Sequence, residues 1–536
     1  MGAAARYTPR SGRDAKLGHF KSKMNSVSTA THSANQTYAP QGSVSAAPRL
    51  LLCVAVAMIV VITGVRAWIW WRSDAGISFA SGVMITMATD LKQGVFYRPL
   101  YDAQGYGGTR YFPLYFCLHA LLLKLGLPIL PSAYLLCAAS VLLLLLGTFR
   151  LLRELGAELW LAACGALTLP AAGSVQMALS TPQADALAAT LNVWGLAAIA
   201  RPPHSRRQVL LAALLFTLAW SAKLTTVFGL VAAFVWLLAR GHKRVAWLLA
   251  AATFCGYVVV AGMMIVASHG RVVDIFRACA SGGADWKFIL SGPLRMESMA
   301  VYTDPGLVLF AVAALVVLGM ISVTGKLLQN LPALFLIATM LVTMMIFGSP
   351  GTAGNHLLDV QVAAVILLAG WAANAATARR KQIGVYMLAL LTLIATVPLL
   401  RHVTVWSRWY HPHQFQRVLE VIGPTNQPIL AENPVIPALA GQYPYVLDPW
   451  MVQLLRKSSP GFEAPLLDKL RQQAFSAVVL STGEAAGRGG QYWYDTVCFA
   501  PGFVSALNQN YRLAQVIDHD WIYLPVTQTT PAGQTK

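Results

Sequence analysis

Apolar runs of 18 residues or more recur between Leu50 and Leu400, separated by short polar loops. Each is long enough to cross the roughly 30 Å hydrocarbon layer of a bilayer. Lipid offers no partner to a bare backbone amide, so such runs are helices. The pattern predicts spans near 50–71, 131–152, 158–178, 182–200, 208–222, 224–240, 244–267, 304–323, 328–347, 355–374 and 383–400. The stretch Phe112 to Leu127 departs from it. It is short, carries His119 and Lys124, and is bounded by Pro113 and Pro128, so it reads as a helix lying in the outer leaflet.

After about residue 401 the pattern changes. Apolar segments shorten to Pro428–Ala431, Ser476–Leu480 and Trp521–Leu524, with helix-like stretches Glu463–Gln473 and Phe503–Gln509 between them. Strands alternating with helices predict a small α/β domain over residues 401–536. Residues 1–48 are rich in Ser, Ala, Thr and basic residues and have little periodicity, which predicts a disordered basic cytoplasmic tail. The expected fold class is a polytopic α-helical membrane protein. It has about 11 spans plus an interfacial helix over 49–400, a first outer loop at 72–112, and a C-terminal α/β domain.

Composition agrees, with 56% hydrophobic and 11% charged residues against about a quarter charged in soluble domains. The formal charge of +19 does not imply a nucleic-acid partner, because of where it sits. Residues 1–49 hold seven Lys/Arg against one acid, residues 50–400 hold 23 against 11, and residues 401–536 hold ten against nine. The basic residues lie mostly in short loops, as positively charged cytoplasmic loops do. With Phe112–Leu127 not crossing, the clusters Arg150/Arg153, Arg201/Arg206/Arg207, Arg240/Lys243/Arg244, Lys326 and Arg379/Arg380/Lys381 all fall on the cytoplasmic side. The N-terminus is then cytoplasmic and the C-terminal domain extracytoplasmic, in a multi-pass protein of the inner (cytoplasmic) membrane. Nine of the 11 acids of residues 50–400 fall at or near the outer face, which points to function there. Five of the seven cysteines lie in apolar runs, and no C-x-x-C motif suggests structural zinc.

Four places carry candidate chemistry. Asp74 follows Trp68, Trp70, Trp71 and Arg72, an interfacial aromatic belt. Beyond it the loop holds Arg98, Tyr101, Arg110 and Tyr111 among glycines and further tyrosines, a surface suited to hydrogen-bonding a polyhydroxylated ligand. Asp185 opens an apolar helix after Pro182, where a carboxylate is costly enough to be a functional candidate. Lys223 interrupts apolar sequence where two spans meet, in reach of a lipid phosphate. The turn Gly354-Asn355-His356 leads to Asp359, three residues after His356 and so on one helix face with it. The first three have plainer readings: a helix-end acid paired with Arg72, a first-turn acid favoured by the helix dipole, and a snorkelling lysine. A divalent metal held by Asp74, His356 and Asp359 is the one cofactor these residues leave open. His411 and His413 read as surface groups, and no P-loop, G-x-S-x-G or H-E-x-x-H motif stands in a suitable context.

The order of these segments resembles the GT-C fold of integral-membrane glycosyltransferases that use polyprenyl-phosphate-linked sugars. The resemblance is to the bacterial branch related to protein mannosyltransferases and lipid A aminoarabinose transferases. It rests on Asp74 after the first span, Gly94 to Tyr115, Pro182 to Leu187, the Lys223 segment, Gly354 to Asp359, and Glu432-Asn433-Pro434 through Asp448-Pro449. It departs from the family pattern at Ser73-Asp74-Ala75, where many relatives carry paired acids; the second acid is then sought at Asp285 or Glu297. The resemblance implies transfer of a sugar from a polyprenyl-phosphate donor to a lipid, glycan or protein acceptor at the outer face. Asp74 and Asp185 would be catalytic. Arg98, Tyr101, Arg110, Tyr111, Lys223, Asn355 and His356 would bind substrate. Two other classes compete: a transporter or flippase of lipid-linked glycans, expected to show repeats and broken midplane helices, and a non-catalytic scaffold with an outer binding domain.

Overall fold

A computed structural model describes residues 44–281, 286–349, 352–409 and 411–526. The N-terminal tail up to residue 43 and Asp285 lie outside the described residues. The chain passes through α1 (Ala46–Ser73), α2 (Phe79–Lys92), α3 (Pro113–Lys124), α4 (Ile129–Glu154), α5 (Leu159–Leu167), α6 (Gly173–Ser180), α7 (Asp185–Ile199) and α8 (Arg206–Ala222). It continues through α9 (Phe228–Ala239), α10 (Lys243–Ala267), α11 (Arg271–Ser281), α12 (Trp286–Thr303), α13 (Pro305–Val323), α14 (Leu331–Ile346), α15 (Leu358–Ala373) and α16 (Ala378–Trp409).

The protein is a polytopic helical membrane protein, but its apolar runs are of two kinds. Among the described residues six helices are long and apolar enough to cross: α1, α4, α10, α13, Gly354–Ala373 and Ala378–Arg401. A bent pair, Leu159–Ala171 with α6, turns by 80° and brings the number to seven if the pair is taken as one span. The remaining apolar helices α3, α7, α9 and α14 are shorter, and α8 has 17 residues. Polar residues of the site cut several of them short. Helix α7 begins only at Asp185, and at 1.5 Å per residue it rises about 22 Å. Helix α8 stops because the backbone of Lys223 is extended, with φ −151 and ψ 117.

Helix α15 is buried along 89% of its span, whereas α10 is buried along only 17%. Helix α15 is therefore the central pillar, and α10 belongs to the lipid-facing rim. The bend before α6 has a definite cause. Pro170 sits in a 3₁₀ turn, and the Asp304 carboxylate accepts from Gly173 N at 2.9 Å and Ser174 N at 2.7 Å. The same carboxylate caps α13 through Leu307 N at 3.0 Å. One acid thus satisfies orphan amides at two helix starts.

Two strand systems lie on the Asp185 side. Strands β1 (Tyr101–Asp102) and β2 (Gly105–Tyr106) form a short hairpin in the first loop. After α17 (Gln414–Ile422) the chain builds β3 (Ile429–Ala431), α18 (Val435–Leu439), α19 (Pro449–Ser458), α20 (Ala464–Arg471), β4 (Ala477–Leu480), α21 (Arg488–Tyr492), α22 (Phe503–Asn510), β5 (Tyr511–Ile517) and β6 (Asp520–Pro525). The sheet order is β3-β4-β6-β5, with β3 and β4 parallel and the other pairs antiparallel. The three short apolar segments of the sequence contain β3, β4 and most of β6.

This C-terminal region grips the first loop. Tyr106 N donates to Tyr445 O at 2.7 Å, and Leu447 N donates to Tyr106 O at 2.9 Å. Asn433 Nδ2 donates to Ile77 O at 2.9 Å. Among the described residues all seven cysteines are free.

Candidate active site

Asp185 opens α7, where a carboxylate is favoured by the helix dipole. Lys223 closes α8. The 3₁₀ turn Gly354–Leu357 presents Asn355, and Asp359 lies in the first turn of α15. These four elements meet at one face of the bundle. Lys223 Nζ lies 2.6 Å from Asp185 Oδ1 and 3.9 Å from Asp359 Oδ2. Asn355 Nδ2 donates to both oxygens of Asp185 at 3.1 Å. The Asp185 and Lys223 side chains are 8% and 13% exposed, so an ammonium sits between two nearly buried carboxylates. Thr181, Gln183, Asp185 and Asn355 line a small pocket beside it.

A second group approaches from the first loop and the C-terminal region. The Arg110 guanidinium lies 4.1 Å from the Trp450 ring centre and within electrostatic range of Tyr111 and Asp448. His356 feels Lys223, Asp185 and Arg110 together, which joins the two groups into one polar centre. Burial pushes the Tyr111 phenol up to about 12, against the pull of Arg110. Burial also raises the Asp448 carboxyl, with Arg110 opposing it. At this centre His356 Nδ1 and Asp448 Oδ2 are buried without a hydrogen-bond partner. Unpaired buried polar atoms call for an explanation, and a polar ligand supplies one.

Asp74 has its own set of partners. It ends α1 with a left-handed backbone, φ 59, and Tyr134 OH donates to Oδ1 at 3.5 Å. Burial raises its carboxyl to about 6, while His413 and the Tyr134 hydroxyl pull it down. The following turn packs onto the end of α6 and the approach to α7. Trp71 Nε1 donates to Leu179 O at 3.2 Å, and Gln183 Nε2 donates to Ser78 Oγ at 3.2 Å. A Cβ on Gly76 would lie 2.1 Å from Ser180 O, so only glycine allows this approach. Asp74 and Asp185 are therefore linked by a short stretch of packed backbone.

Two residues expected at the ligand surface are engaged elsewhere. Arg98 is 2% exposed and forks onto Asp90 with two contacts of 2.7 Å. It also donates to Pro444 O at 2.9 Å and stacks 3.4 Å above Tyr443, so it braces the first loop against the C-terminal region. Tyr101 belongs to an aromatic pile with Tyr106 and Phe462. Glu297 is exposed on α12.

The proposed metal trio does not assemble. Asp359 faces Lys223, whereas Asp74 faces Tyr134 and His413. Among the described residues no group of three or more His, Cys, Asp and Glu could hold a metal ion. The Lys223 ammonium occupies the position between carboxylates that a cation would take, so this donor set does not fit a metal.

Sequence reasoning named neither Trp450 nor the orphan oxygen of Asp448. Asp448-Pro449 is a helix-start signal, and Asp448 Oδ1 does cap α19 through Trp450 N at 3.2 Å. Nothing local to that motif shows that Asp448 lies within electrostatic range of Arg110.

No protein-family profile matches the chain, and no curated protein matches it. Solved structures do. The Archaeoglobus fulgidus oligosaccharyltransferase in the apo form aligns with a TM-score of 0.54 at 10% identity, over 89% of this chain and 75% of that one. The archaeal oligosaccharyltransferase AglB from Archaeoglobus fulgidus, in complex with an inhibitory peptide and a dolichol-phosphate, aligns at 0.53 and 12% identity, over 91% and 75%. ArnT from Cupriavidus metallidurans, bound to undecaprenyl phosphate, aligns at 0.54 and 13% identity, over 87% and 98%. A further Archaeoglobus fulgidus oligosaccharyltransferase structure is a complex with Zn and sulfate. The chain has the GT-C fold.

Proposed function

We propose that this protein is a glycosyltransferase that moves a sugar from a polyprenyl-phosphate-linked donor to a hydroxyl of a lipid, glycan or protein acceptor at the outer face of the cytoplasmic membrane. The observation that carries the reading is the polar centre itself. A buried lysine between two carboxylates, an arginine and unpaired polar atoms converge at one face of a GT-C bundle. Membrane-embedded charges mark function by default.

In this reading the acceptor oxygen attacks the anomeric carbon. The bond from that carbon to the phosphate oxygen breaks, and polyprenyl phosphate leaves. Asp74 takes the acceptor proton, its raised carboxyl near 6 being suited to a base at neutral pH. Arg110, held over the Trp450 ring, and His356 face the departing phosphate and stabilise its growing charge. Asp185 and Asn355 hold sugar hydroxyls, while Lys223 fixes the Asp185 carboxylate in place and lies between it and Asp359.

Because an ammonium already lies between the carboxylates, transfer is expected to survive chelation of divalent ions. Purified protein is incubated with radiolabelled polyprenyl-phosphate sugars and candidate acceptors, with and without chelator, alongside Asp74→Asn and Lys223→Gln. Full transfer by Asp74→Asn overturns the assignment of the base. Loss of transfer on chelation, restored by added metal, overturns the role given to Lys223.

A further inference from the structure

At the face opposite the Asp185 cluster, the ends of α4 and α7 and the start of α8 enclose a cavity of about 470 Å³. That volume is in the range of small-molecule sites, about 300–1,000 Å³. Its rim is charged. Arg150 lies 2.5 Å from Glu154, and Arg201 lies 4.0 Å from the other oxygen of the same carboxylate. One carboxylate shared by two guanidiniums leaves the rim net positive. The carboxylate is 12% exposed but the arginines are 60% and 75% exposed, so most of their donors point outward. The walls are apolar. Trp194 is fixed by its Nε1 bond to Leu143 O at 2.9 Å, and Leu215 and Leu211 continue the wall to the outside. Leu211 is 50% exposed on the lipid side of α8.

A cationic rim above an apolar wall that opens sideways matches an amphiphile standing upright in the bilayer. A free anion would gain nothing from the leucine wall, and a neutral lipid nothing from the arginines. We propose that this cavity is a binding site for an anionic phospholipid, its phosphate at Arg150 and Arg201 and an acyl chain along Leu215 and Leu211. Basic pockets between transmembrane helices take anionic head groups in this way. The site is separate from the polar centre, and the proposal stands independently of the catalytic reading.

The test uses the full chain in nanodiscs holding equal phosphatidylglycerol and phosphatidylcholine. Lipid retained after gentle release is counted by native mass spectrometry. Wild type is expected to keep phosphatidylglycerol in preference. The Arg150→Gln/Arg201→Gln double variant is expected to lose roughly thirtyfold in that preference, the effect of removing two cations near the membrane surface. Leu215→Trp fills the cavity, keeps the charges and is expected to lose retention as well. Arg379→Gln/Arg380→Gln, on exposed residues of the same face, is expected to change nothing. Equal retention of both lipids by wild type overturns the proposal, as does unchanged preference in the double variant. Should that variant fail to fold, undiminished retention by Leu215→Trp overturns it equally.

Discussion

At Asp74 the backbone turns left-handed and the side chain is buried, which lifts its carboxyl from its ordinary 3.8 to about 6. A base must be ionised to accept a proton, so transfer is expected to fall about tenfold per unit as pH drops below that value. The acid limb of kcat/KM is the measurement. Asp74→Asn is expected to abolish the limb and cost about 10²–10⁴-fold in rate. Gly76 makes a different prediction. Gly76→Ala would drive a methyl into Ser180 O at 2.1 Å and is expected to lower both thermal stability and transfer, although Gly76 bears no chemistry. Gly64→Ala, with nothing within 4 Å, is expected to be neutral or stabilising by up to about 1 kcal/mol. Asp74, Asp185, Lys223 and Asn355 were visible in the sequence because each interrupts apolar chain at the end of a run. Arg98 stood out for the same reason, yet its partners are Asp90 and Pro444 O. Residue type alone does not separate a guanidinium that braces a fold from one that faces a ligand.

The apolar runs were legible because lipid demands length and hydrophobicity together. What they did not show is where helices stop or bend. The break before α6 depends on Asp304, 131 residues from Gly173, and no local pattern announces a cap supplied from so far away. Asp304→Ala removes acceptors for Gly173 N, Ser174 N and Leu307 N. With a lost cap costing about 0.5–2 kcal/mol, and two helix starts affected, a loss of roughly 1–4 kcal/mol is expected. Thermal unfolding in detergent reads it, and Asp304→Asn is expected to recover part of the loss by keeping one acceptor oxygen.

Across the whole molecule the polar centre and the basic clusters occupy opposite faces. Lys381 pairs with Glu158, Arg201 approaches Glu154, and Arg240 reaches Gln329 O, so basic loops from distant parts of the chain gather on one side. On the positive-inside rule we propose that this side is the cytoplasmic one. An impermeant thiol reagent applied to intact cells is therefore expected to label Gln472→Cys, after outer-membrane permeabilisation where there is one, and to spare Lys326→Cys until the inner membrane is breached. The reverse result would turn the catalytic proposal inside out. A last consequence follows from the bonds between Tyr106 and residues 445–447. In the proposed orientation, a ribosome delivers the first loop across the bilayer some 340 positions before the segment that steadies it. Competence is therefore acquired late in biogenesis, and a nascent chain stalled before β3 would be inserted yet idle.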